Sequence, residues 1–133
     1  MTASLYDRLG GHVGLQQLLK SFYADVRQHA VLWPIFNAHI HDWPAHLANI
    51  GEFWALQTGG PSAYRGGFGA AHLRLGIETG HFSHWLELWE FNCHRSLPAR
   101  EAAEMIGLAH ELGARLRRLV AGRSGITLGE HPA

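Results

Sequence analysis

Leu15, Leu18, Leu19, Phe22 and Val26 stand at i, i+3, i+4, i+7 and i+11, which aligns them as one apolar stripe on a helix over about 13–28. A helix with a single apolar stripe must bury it against another element. The same spacing returns three more times. Trp43, His46, Leu47, Ile50, Phe53 and Trp54 share a broad face over 43–57. Phe82, Trp85, Leu86, Trp89 and Cys93 do so over 79–94. Ala102, Met105, Ile106, Ala109, Leu112, Leu116 and Leu119 do so in a last helix restarted by Ser96 and Pro98. No run alternates with the period of a strand, so the chain is expected to be all-α.

The breaks between these stripes carry recognisable chemistry. A short helix over 4–8 ends at Gly10-Gly11, and Trp33-Pro34-Ile35-Phe36 is expected to form a turn. Asp42 suits an N-cap with Pro44 in the first turn behind it, and Gly59-Gly60-Pro61 stops the helix so begun. From Gly59 to Gly80 glycines recur too often for a long helix, leaving one or two turns over 68–75. Two antiparallel helix pairs, stacked, are the economical arrangement. The long glycine-rich connection in their middle calls for a functional reason.

A chain of 133 residues fits one domain, expected over 1–122, with 123–133 as a disordered tail. Its zero formal net charge offers nothing to nucleic acid or an anionic membrane. No apolar run is long enough to span a bilayer, and the N-terminus lacks the progression of a signal peptide. The single Cys93 forbids an internal disulfide and fits a reducing compartment, so a cytoplasmic protein is expected.

The unusual totals are 11 His and 5 Trp in so short a chain. Excess His reflects either surface polarity or ligation of a metal or cofactor, because neutral imidazole is the commonest protein metal ligand. Tyr23 borders the first stripe and Trp85 lies on the third, and each carries a donor that needs a partner when buried. His46 shares its face with Ile50 and Phe53, and Phe36 offers a ring that can stack on a flat ligand. His72 stands among Ala70, Ala71, Leu73 and Leu75 in the glycine-rich stretch, flanked mostly by small and apolar residues. His39, His41, His81 and His84 read more simply as solvent-facing. Singly, each candidate has a plain alternative: Tyr23 and Trp85 as packing residues, His46 as a surface residue at the edge of a stripe. A non-haem metal site would want paired Glu-x-x-His motifs, and only Glu78-Thr79-Gly80-His81, with Glu87, approaches one.

Taken in order, these residues resemble a known family. Phe22-Tyr23, Trp33-Pro34-Ile35-Phe36, Asp42-Trp43 through His46 to Ile50 and Phe53-Trp54, then Gly59-Gly60, Tyr64, Ala71-His72-Leu73 and Trp85-Leu86 are similar to the truncated haemoglobins over roughly residues 4–120. The stretch from Pro34 to Trp89 looks most like group III, while Leu5-Tyr6-Asp7-Arg8-Leu9-Gly10-Gly11 looks like the opening of groups I and II. The resemblance implies a two-over-two helical sandwich whose proximal helix is reduced to a loop and a short turn. It implies heme b (iron protoporphyrin IX), with His72 as proximal iron ligand. Tyr23, His46 and Trp85 would surround the distal ligand, Phe36 would pack on the porphyrin, and Ile50 and Phe53 would line the slot. Tyr64 and Arg74, near the His72 segment, are candidates for the propionates.

The function expected on this basis is reversible binding of oxygen, nitric oxide or carbon monoxide. An alternative on the same scaffold is nitric oxide dioxygenation or a peroxidase-like activity, with electrons from a separate reductase. From a different class, a cofactor-free helical interaction domain would leave the His content incidental.

Overall fold

The computed structural model of the chain describes residues 3–67 and 79–129, the side chains of residues 79 and 123–129 excepted. Among the described residues there are six helices and no strand: α1 (Leu5–Arg8), α2 (Gly11–Val26), α3 (Leu32–His39), α4 (Trp43–Thr58), α5 (Thr79–Ser96) and α6 (Ala99–Gly129). The glycine-rich stretch expected to hold a turn or two over 68–75 lies outside the described residues. Of the tail expected over 123–133, the backbone of 123–129 continues α6, and 130–133 lie outside the described residues.

The boundaries follow from capping. The Ser4 hydroxyl accepts from the Asp7 N–H at 3.1 Å to start α1. Asp42 caps α4 by accepting from the Ala45 N–H at 3.1 Å, with Pro44 in the first turn, where a missing N–H costs nothing. Gly59 ends α4 at φ +91°, and its N–H together with that of Gly60 bonds back to Leu56 and Ala55. The segment Trp33–Phe36, expected as a turn, is instead part of α3. Pro34 falls in the first turn of that helix, so its missing N–H breaks no bond.

Two helix pairs form the body. In the first, His12 of α2 meets Glu52 late in α4, Gln16 meets the Leu47 carbonyl, and Tyr23 meets Trp43 at the start of α4. Partners that descend as the other helix ascends define an antiparallel pair. In the second, Glu90 of α5 bonds His110 of α6, and Phe82 lies under the Arg117 guanidinium, the same descending register. Helix α2 also packs on α5, where Leu15, Leu19, Phe22 and Val26 share one core with Trp89 and Cys93 of α5 and Met105 of α6, all fully buried. This is the two-over-two sandwich.

On α6 the apolar face ends at Val120, which is buried, rather than at Leu119, which is 46% exposed. The step from Leu116 to Val120 keeps the side chain over one helix face as the helix continues. A triple ion pair holds α1 to α6, with Arg8 Nη1 at 2.7 Å from Glu101 and 2.6 Å from Glu104. Those carboxylates raise the Arg8 guanidinium further above its already high value, and Arg8 in turn lowers Glu104.

Candidate functional site

The site is built on Tyr23, and α2 is held so that this side chain points inward. Asn92 of α5, fully buried, donates to Asp25 at 2.9 Å and accepts from Ser21 at 2.9 Å. Arg95 donates to Asp25, Ser21 and the Asn92 side-chain carbonyl at 2.6–3.1 Å. Ser21 and Asp25 flank Tyr23 by two residues on either side, so this clamp fixes the rotation of α2 where it matters.

Tyr23 is 7% exposed and ringed by aromatic edges. Phe22 stands at 5.0 Å, Phe36 of α3 at 5.8 Å, Trp43 at 5.4 Å and His46 at 5.3 Å between ring centroids, all edge-on. Its hydroxyl lies 3.2 Å from His46 Nε2. Burial pushes the phenol well above its ordinary pKa, because a phenolate would have no water to solvate it. The group is therefore a neutral donor throughout the physiological range.

Trp85 of α5 is half-buried and reaches this cluster through Phe22, 5.5 Å away and edge-on. Behind it Trp85, Trp89 and Trp54 form a stack with centroid spacings of 5.3 and 4.8 Å and planes within 12° of parallel. Trp89 is fully buried, and its indole N–H has no hydrogen-bond partner among the described residues. Phe53 is buried and lies edge-on to Tyr64 at 5.2 Å; Ile50 is half-buried on the same side of α4. Burial raises the Tyr64 phenol as well.

Of the residues singled out from sequence, Tyr23, His46 and Phe36 are thus in direct contact, and Trp85 joins them through one ring. Phe53 and Tyr64 form a second contact further along α4. His72 and Arg74 lie outside the described residues. His39 and His41 are exposed as expected, whereas His81 and His84 are half-buried, His84 lying 5.3 Å from the His29 ring. Among the described residues no three His, Cys, Asp or Glu side chains gather as a metal site. Two contributors were not singled out. Asn92 interrupts an apolar stripe, which is the signal that could have marked it. Trp43 was seen as a face residue, but its packing on Tyr23 depends on how α2 meets α4.

An all-helical two-over-two sandwich with a Tyr–His pair facing the α3–α4 corner defines a globin of the truncated kind. A model of the bacterial-like globin family matches residues 4–111, and the chain belongs to that family. Within the truncated haemoglobins it is similar to group III proteins. Over 81 residues it is 37% identical to the group 3 truncated hemoglobin of Campylobacter jejuni, an alignment that takes in 57% of this chain and 64% of that one. The crystal structure of group III truncated hemoglobin from the same organism superposes with a TM-score of 0.78 at 28% identity, covering 83% of this chain and 91% of that one. The 2/2 hemoglobin of Synechococcus, solved in the cyanomet state with covalently attached heme, shares the fold with a TM-score of 0.77 at 22% identity, covering 89% and 98%.

Globin membership implies a haem, and the residues present fit one. A porphyrin is a broad apolar disc that needs rings and aliphatic chains beside a few polar heads. The α3–α4 corner supplies Phe36, Ile50 and Phe53 as apolar surface, with Tyr23 and His46 as its polar heads. Cys93 is buried on α5, its thiol pushed up to about 12 by burial first and then by Glu90, so it packs as a neutral thiol. No helix among the described residues is long and apolar enough to cross a membrane.

Proposed function

We propose that this chain is a haem protein that reversibly binds oxygen or a related diatomic gas, with His72 as the iron ligand and Tyr23, His46 and Trp85 around the bound gas. The observation that carries the reading is the Tyr23 hydroxyl, buried among rings and 3.2 Å from His46 Nε2. His72 would hold a haem, which would supply an iron able to take a gas molecule, with Tyr23, His46 and Trp85 beside that gas.

The remaining chemistry belongs to the side chains. Tyr23 is kept protonated by burial and has one hydrogen to give. When His46 carries its proton on Nε2, it donates to the Tyr23 oxygen and frees the phenol hydrogen for the gas. When the proton sits on Nδ1, Nε2 accepts from Tyr23 and the phenol is occupied. The His46 tautomer therefore sets how strongly the pocket holds a partly negative ligand. Each such bond contributes roughly 1.5–3 kcal/mol where one partner is charged. A pocket built this way retains its ligand, which suits redox chemistry or sensing better than bulk delivery. The cofactor of this reading is heme b (iron protoporphyrin IX). Phe36, Ile50 and Phe53 line the slot, and Tyr64 and Arg74 are assigned to its propionates.

The test is the absorption spectrum of purified protein, reduced, with and without carbon monoxide. An intense Soret band that shifts with carbon monoxide and weakens in His72→Ala is expected. A colourless protein that folds normally would instead support the cofactor-free interaction domain. A second reading, peroxidase-like oxidation, is favoured by the same Tyr–His pair, because a phenol with a proton acceptor in place is readily oxidised, and nitric oxide dioxygenation is its companion on the same scaffold. Nitric oxide dioxygenation would take its electrons from a separate reductase.

A further inference from the structure

A cleft of about 410 Å³ opens on the side of the α2–α4 pair. Of the residues assigned to the haem slot and the gas, only Tyr23 lines it. Its walls are Tyr23, Trp43 and Leu47, and its rim carries Lys20, Arg27 and Gln28. The volume falls in the range of small-molecule sites. Lys20 and Arg27 have no acidic partner among the described residues. Arg27 lies over the Trp43 ring at 5.7 Å. The nearest acids in sequence are already engaged, Asp25 with Arg95 and Asn92, and Asp42 with the first turn of α4. Two unpaired cations above an aromatic wall select a flat anion.

The wall is also the wall of the pocket. Tyr23 faces the cleft while its hydroxyl meets His46 Nε2, and its ring is 5.4 Å from Trp43, which stacks on Trp33 at 5.9 Å. An oxidised phenol is a strong acid, so Tyr23 that loses an electron passes its proton along the existing hydrogen bond to His46. An electron returned to Tyr23 brings that proton back.

We propose that this cleft binds a phenol bearing a carboxylate, and that the bound phenol reduces Tyr23 through direct contact. The proposal rests on the peroxidase-like reading above. The oxidant is hydrogen peroxide, which takes two electrons and two protons, breaks its O–O bond and leaves as two waters. Each of two phenols gives one electron and one proton and leaves as a phenoxyl radical, so the exchange balances.

The binding arm is calorimetry with 4-hydroxybenzoate, which needs no iron. Saturable binding is expected, weakened about tenfold by Lys20→Glu or Arg27→Glu and by a similar factor when the methyl ester replaces the acid. Both side chains are exposed, so the fold tolerates the changes. The redox arm treats haem-loaded protein with one equivalent of peroxide and a spin trap, then maps adducts by mass spectrometry. Adducts on Tyr23, Trp43 or Trp33 are expected, and 4-hydroxybenzoate should suppress them in the native chain but not in the Lys20→Glu/Arg27→Glu double variant. Absent binding, or binding indifferent to both charges, overturns the site. Adducts that 4-hydroxybenzoate leaves unchanged overturn the electron transfer. A normal Soret band and carbon monoxide complex beside either failure would leave the gas-binding reading standing. A chain that takes up no haem overturns the redox step and that reading together, while calorimetry still decides the site.

Discussion

The Tyr23 hydroxyl on α2 and the Nε2 of His46 on α4 are 3.2 Å apart, a hydrogen bond between side chains at the end of the antiparallel pair where α4 begins. It couples two roles that are separable by mutation. In Tyr23→Phe the donor is gone while the ring still packs against Phe22, Phe36 and Trp43. Oxygen should then leave roughly tenfold faster or more, as expected for loss of a bond of about 1.5–3 kcal/mol. Stopped-flow displacement by carbon monoxide measures it directly. Unchanged release would mean that Tyr23 serves only as packing.

The clamp behind Tyr23 makes a separate demand. Asn92 is fully buried and answers Ser21, Asp25 and Arg95 at once. Asn92→Ala removes these partners without opening the site to water, leaving the half-buried Asp25 carboxylate with Arg95 alone. A loss of about 1–3 kcal/mol in unfolding free energy is expected, the cost of stranding buried polar groups. Urea denaturation of the native and variant proteins reads it, and a change within about 0.5 kcal/mol, the scatter of surface substitutions, would refute the clamp.

Much of this fold was legible because its helices are amphipathic and well punctuated. The stripe Leu15–Val26, the Asp42 cap and the Gly59 stop each state one local rule, and each holds. The Trp33–Phe36 segment misled because Pro34 signals a break in general but is harmless in a first turn. Within the site, Tyr23 and His46 could be placed on helix faces, yet nothing local says that two faces meet with a hydroxyl opposite an imidazole. That depends on the α2–α4 register, which is set by distant pairs such as His12 with Glu52 and Gln16 with the Leu47 carbonyl. The cleft beside Tyr23 was illegible for the same reason, since its rim joins Lys20 and Arg27 to Trp43 across that interface.

The start of α4 has its own test. Asp42 satisfies the Ala45 N–H just before the turn that presents Trp43 and His46. Asp42→Ala should cost about 1 kcal/mol through loss of the cap. Fraying there loosens the His46 backbone, so the variant should also bind and release carbon monoxide faster. Flash photolysis together with thermal melting checks both. A lower melting temperature with unaltered gas kinetics would show that the cap stabilises the helix without positioning His46.

A final prediction concerns acid. Glu52 accepts from the Ala63 N–H at 2.7 Å and from His12 at 2.9 Å, tying α4 both to the loop that follows it and to α2. The Ala63 backbone N–H holds the Glu52 carboxyl below its usual 4.5; burial opposes it as the next largest effect, and His12 adds to the lowering. A carboxyl whose pKa is lower folded than unfolded contributes stability above the unfolded value, and loses it as the pH falls through the folded one. Glu52→Gln lacks that titration. The native chain should therefore melt at a higher temperature than the variant near pH 6, and the gap should close progressively below about pH 4.5. Glu104, lowered by Arg8, titrates in both proteins and cancels from the difference. Melting curves collected from pH 6 to pH 3 provide the comparison, and a gap that stays constant across that range would show that the ionised Glu52 adds nothing to the link between α4 and its loop.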